Sequence, residues 1–191
     1  MDSQNSIIYR INSRDEIVFV NEKWDETVRS QNNLTLLGQN IRGRVIWDFI
    51  SDYVTRDLYR EIIKIVRFGK PVRFNFRCDS PSTRRLMEMN ITLHDDEVQF
   101  ESKIIRAEKR PFQRLLSINT FRSDELLNLC GWCNKVNVEN DTWSEVEDAV
   151  PVMRIFENDK LPDISHGICG DCYKPWIKEL TEAAKEFKQK K

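Results

Sequence analysis

The chain opens on two short runs rich in β-branched and aromatic residues, Ile7 to Ile11 and Glu16 to Asn21, split by the polar stretch NSRD. Such runs bounded by turn formers predict a β-hairpin. The polar NEKWDETVRSQNN that follows suits a helix, and GQNIRGRVIWDFI continues as a glycine-punctuated connection with short helical pieces. From Tyr53 onward Leu58, Ile62, Ile65 and Val66 fall near one helical stripe, with Asp52 placed to cap it and Gly69 to stop it. Period-2 alternation then takes over. Val72, Phe74, Phe76 and Cys78 alternate with Arg73, Asn75 and Arg77, and Met87, Met89, Ile91 and Leu93 alternate with Glu88, Asn90 and Thr92. HDDE links this strand tightly to a third, DEVQFESKIIRAE. Two strands, short helices, a long helix and three antiparallel strands predict an α+β domain, a five-stranded antiparallel sheet with helices on one face.

After Phe112 the pattern changes. The chain becomes charged, with few runs of buried type; NDTWSEVEDAVPVMRIF offers a strand end and a short amphipathic helix. YKPWIKELTEAAKEFKQKK predicts a terminal helix, with Trp176, Ile177, Leu180, Ala184 and Phe187 on one stripe and lysines in its last turn. The expected division is residues 1–110 as one domain and 111–191 as a small C-terminal module.

The cysteines decide what such a module needs. Four of the five stand in two Cys-x-x-Cys pairs, Cys130 with Cys133 and Cys169 with Cys172, separated by 35 residues. Two such knuckles suit a tetrahedral metal, since each short loop supplies half the site. The expectation is a closed structural zinc site on Cys130, Cys133, Cys169 and Cys172, with His166 as a fifth candidate that either ligates or donates an N–H to a thiolate. Four thiolates also suit iron. Covalent haem attachment would need a histidine after the second cysteine, where Asn134 and Tyr173 stand. A module that buries little apolar surface gains its folding free energy from the metal, on the order of 10 kcal/mol.

Composition narrows the classes. A hydrophobic fraction of 40%, with ten Phe and five Trp, describes a folded protein. The formal net charge of −1 argues against nucleic acid as a partner, and no apolar run is long enough to span a bilayer. No secretory leader pattern is visible at the start, so the expected location is cytoplasmic, where paired thiols stay reduced.

The stretch from IIYRINSRDEIVFVNEKWDE through GRVIWDFI to VRFGKPVRFNFRCDSPSTRR resembles a PAS domain. It is similar in particular to a group of small bacterial PAS proteins with the signature FRCDSP, followed by CxWC, W.EVE and LP…HGIC..C. Here those read CGWC, WSEVEDAV and LPDISHGICGDC. The resemblance implies signal sensing or protein contacts, with a small ligand between sheet and helices. Candidate ligand-binding residues are Trp24, Trp47, Phe74, Phe76, Met87, Met89 and Phe100, which serve equally as ordinary core. Arg77, Arg84 and Arg85 with Asp79 read either as a strand-turn ion-pair network or as a carboxylate or phosphate site. Cys78 reads as a small core hydrophobe or a reactive thiol.

Taken together, these features lead to the expectation of a non-enzymatic cytoplasmic sensor or adaptor, a PAS-like domain plus a zinc module. It would act through a protein partner and pair with a second copy. The rival expectation is a thiol redox sensor that releases zinc on oxidation. Two histidines at polar turns supply no paired acid and base for catalysis.

Overall fold

The computed structural model describes residues 5–117, 120–157 and 160–178. The protein is mixed α+β with two sheets, and the chain groups into two compact units. One comprises the chain up to Ser51, Arg56–Asn75 and Met87–Ile104; the other comprises Asp52–Thr55, Phe76–Leu86 and the chain from Ile105 on.

The first sheet is built from β1 (Ile7–Ile11), β2 (Ile17–Val20), β3 (Val72–Arg77), β4 (Thr83–His94) and β5 (Glu97–Lys109), in the order β2-β1-β5-β4-β3. Its alternating positions point Ile11, Met87, Met89, Ile91, Val98 and Phe100 into the core. Asp95, at φ 53°, turns β4 into β5. Between β2 and β3 run α1 (Glu22–Ser30), the short α2 (Gly38–Ile41) and α3 (Tyr53–Arg67). Asn21 caps α1 by accepting the Trp24 N–H at 3.1 Å. Asp52 does the same for α3 through the Thr55 N–H at 2.7 Å. Gly69, at φ 87°, ends that helix in a conformation that costs other residues strain. The face of α3 carrying Leu58, Ile62, Ile63, Ile65 and Val66 is buried.

The second unit holds a four-stranded sheet that periodicity did not foretell. Its strands are β6 (Arg122–Cys130), β7 (Val136–Glu139), β8 (Thr142–Ser144) and β9 (Leu161–Gly167), ordered β8-β7-β6-β9. β7 and β8 join through Asn140 and Asp141, both at positive φ as a two-residue hairpin of this twist requires. Then α4 (Val146–Val152) returns the chain, and β9 lies parallel to β6. Leu115, Leu127, Leu129, Val136, Val146, Ala149, Ile155 and Leu161 form its core. Residues 170–178 are helical (α5) and bury Trp176; Leu180, Ala184 and Phe187 of the expected terminal helix lie outside the described residues.

Candidate metal centre and ligand cavity

Parallel pairing of β6 with β9 is what assembles the cysteines. The register sets Leu129 opposite His166 and Cys130 opposite Gly167, so both strands finish at the same end of the sheet. Beyond β6 the chain folds back at once: Asn134 donates to the Cys130 carbonyl at 2.9 Å, and Cys130 donates to the Lys135 carbonyl at 2.8 Å. Asn134 takes φ 56° to close this loop. Beyond β9, Cys169 precedes α5 and accepts the N–H groups of Cys172 and Tyr173 at 3.1 and 2.9 Å. Gly131 donates to the Gly167 carbonyl at 2.9 Å, tying one loop to the other.

As a result the sulfurs of Cys130, Cys133, Cys169 and Cys172 all lie within 4.8 Å of one another. The Cys133 and Cys169 sulfurs stand 3.7 Å apart. A zinc tetrahedron with Zn–S bonds of ~2.3 Å has sulfur–sulfur edges of ~3.8 Å. None of the four is in a disulfide. These cysteines are therefore positioned to hold a metal ion, in a geometry compatible with zinc. Cys130 and Cys169 are buried, whereas Cys133 and Cys172 are half-buried.

Four thiols this close cannot ionise independently. Hydrogen bonds from the Cys133 and Cys172 thiols and from the backbone N–H groups of Cys169 and Cys133 drive Cys130 far below the ordinary thiol range. Cys133 and Cys172 are pushed up in turn, because each gives its proton to the Cys130 sulfur. A divalent cation would supply the charge that lets all four ionise together. His166 is exposed on β9 and is not part of the sulfur cluster.

The arginines that flank the loop between β3 and β4, with Arg110 after β5, form an ion-pair network. Arg77 contacts Asp79 and Glu145, Arg84 contacts Glu145 and Glu147, and Arg110 contacts Asp79 and Glu147. Arg85 gives its Nε to the Cys78 carbonyl at 2.8 Å. Glu145 and Glu147 are two of the three acidic residues of WSEVEDAV, so FRCDSP and that motif are bonded partners. Sequence reading found both stretches without a signal that joined them. Cys78 is half-buried, and burial pushes its thiol pKa up.

The first unit contains a cavity of about 220 Å³ between sheet and helices. Its lining is Tyr9, Ile17, Trp24, Leu36, Ile41, Ile46, Phe49, Ile50 and Tyr59, with no charged side chain. Trp24 is the candidate ligand residue on that wall, and its indole N–H is spent on the Leu36 carbonyl at 2.8 Å. The other six do not line it. Phe100 lies behind Tyr9, stacked at 4.5 Å between centroids, and Met87 and Met89 are core. Phe74 and Phe76 are half-buried on β3. Trp47 donates to Asp15 at 2.9 Å under the Arg60 guanidinium. Strand alternation identified the covered face of the sheet, but the cavity borders β1, β2 and the helices, where no periodicity marks a gap.

No protein-family model matches this chain, and no curated protein matches it.

Proposed function

We propose that the protein is a sensing or adaptor protein in which a PAS-type domain takes up a small neutral molecule and a zinc-stabilised module carries the response to a protein partner. The observation that carries the sensing half is the apolar cavity between the first sheet and its helices. The element order of the domain, two strands, three helices and three strands, supports the PAS assignment. An engineered apolar cavity of ~150 Å³ admits benzene, so about 220 Å³ suits one substituted or two fused rings. Tyr9 and Tyr59 on its lining are neutral phenols at pH 7, so the cavity walls carry no charge.

The zinc half rests on the sulfur geometry, and its role in this reading is structural. Four protein ligands leave no coordination position for a reacting water. Reduced thiols fit a cytoplasmic setting, and pairing with a second copy belongs to the same proposal. Among the described residues no helix is long and apolar enough to cross a membrane.

Titration of the purified full chain with indole, followed by isothermal calorimetry, tests the sensing half. Saturable binding that is lost when Ile41→Phe fills the cavity supports it. Absence of binding to indole and to a panel of neutral mono- and bicyclic compounds, together with an empty small-molecule spectrum from protein denatured straight from cells, overturns it.

A second reading is favoured by one observation: Cys133 and Cys172, one from each loop, are half-buried and reachable by small oxidants. In a redox sensor, peroxide would take two electrons from two thiolates and release the metal. Stoichiometric zinc release at micromolar peroxide, reversed by a thiol reductant, would favour this reading over the structural one.

A further inference from the structure

We propose that Asp79 is a positioning residue for the metal centre, setting the affinity of the four cysteines for zinc through a single peptide group without touching the metal. The inference rests on the metal reading above. Asp79 lies in the loop between β3 and β4, and its carboxylate is fully buried. One oxygen accepts from Arg77 and, at 3.1 Å, from Arg110. The other accepts the Arg85 N–H at 3.1 Å. Arg77 in turn grips Glu145 with Nη1 at 2.9 and 2.7 Å, and Arg110 gives its Nη2 to the Ser80 carbonyl at 3.0 Å.

Two guanidinium groups thus converge on one buried carboxylate. Burial works against the charge on Arg77, but its bonds to Asp79 and Glu145 outweigh it and hold that charge more firmly than usual. Neutralising Asp79 leaves Arg110, 4% exposed, with only the longer contact to Glu147 as a counter-charge. Residue 77 is the point at which any slackening reaches the metal loop.

The link is a relay through one peptide. The Arg77 backbone N–H donates to the Trp132 carbonyl at 2.6 Å. That carbonyl belongs to the peptide that leads from Trp132 into the ligand Cys133, so the bond anchors the loop that carries the Cys130 and Cys133 sulfurs. Fixing this peptide fixes where the loop presents its sulfurs, and partners that hold ligands in place tune the affinity of a metal site. Sequence motifs that stand 50 residues apart, FRCDSP and CGWC, therefore meet in one hydrogen-bonded chain.

The test measures zinc affinity of the full chain by competition with a chelating dye, in wild type, Asp79→Asn and Leu127→Ala. Leu127 is core of the same unit and is not one of the hydrogen-bonded residues of the relay, so it matches lost stability without lost positioning. Outer hydrogen-bond partners of metal ligands typically contribute 10–100-fold in affinity, so Asp79→Asn is expected to weaken zinc by about tenfold or more. It should exceed Leu127→Ala when the two are compared at equal loss of melting temperature, and shift the sulfur-to-cobalt charge-transfer band of the Co(II) form. If Asp79→Asn does not fold, Glu145→Gln, at the half-buried side of the Arg77 clamp, is expected to weaken zinc about threefold. Wild-type affinity in the foldable variant, or a loss no larger than that of Leu127→Ala, overturns the proposal alone. Failure of the wild type to bind zinc or cobalt overturns the metal reading, and this inference with it.

Discussion

Tyr9 stacks on Phe100 and meets Trp24 edge-on at 5.6 Å between centroids, and its pKa is raised by burial and by the neighbouring Tyr59. Burial raises Tyr59 from its ordinary 10.0 to about 12. A phenol whose folded pKa exceeds its unfolded value stabilises the fold fully below pH 10. That contribution is lost as pH climbs from about 10 through about 12, because only the unfolded chain ionises there; for Tyr59 it is on the order of 2 kcal/mol. Absorbance at 295 nm should therefore show two of the four tyrosines ionising together with unfolding, and Tyr59→Phe should move the alkaline midpoint upward. Smooth ionisation of all four before unfolding would contradict the burial argument. The cysteines separate by the same logic. With metal bound, all five should alkylate slowly at neutral pH; after chelation the quartet should label quickly while Cys78, its thiol held protonated by burial, lags well behind in a peptide-resolved time course.

At the scale of elements, the helices between β2 and β3 depend on local devices. Asp52→Ala removes the acceptor of the Thr55 N–H and should cost about 1 kcal/mol in denaturant melts. Gly38→Ala should cost about 1–3 kcal/mol, because a Cβ there would meet the Val20 side chain at 2.4 Å and overpack the core. The first sheet was legible because Val72 to Leu93 alternates with period 2, and α3 because its apolar stripe runs between a cap and a glycine. The second sheet was not. In β6 only Leu127, Leu129 and Cys130 are buried, and β9 contains a proline and a glycine, so neither strand displays alternation. Their parallel pairing is a long-range bond between segments some 40 residues apart, which no local window contains. The cysteine quartet was legible because ligand spacing is local chemistry. The bond from FRCDSP to WSEVEDAV was not, since a salt bridge leaves no periodic trace.

For the whole molecule, two compact units imply two separable responses to metal removal. The second unit has a modest core, and a structural zinc site supplies folding free energy on the order of 10 kcal/mol. Chelation should then abolish the protection of β6 and β9 amides in hydrogen exchange while leaving that of Ile11, Ile62 and Ile91 largely in place. Loss of protection throughout would mean the units unfold together; protection retained in β6 and β9 would mean the metal is dispensable for that sheet.

The most direct test of the four-cysteine metal centre is X-ray absorption at the zinc edge, with elemental analysis, on protein purified without added metal. About one zinc per chain with four sulfur neighbours at ~2.3 Å is the predicted result. A site containing nitrogen or oxygen ligands, a chain loaded with iron instead, or a metal-free protein with its second sheet intact would contradict the account.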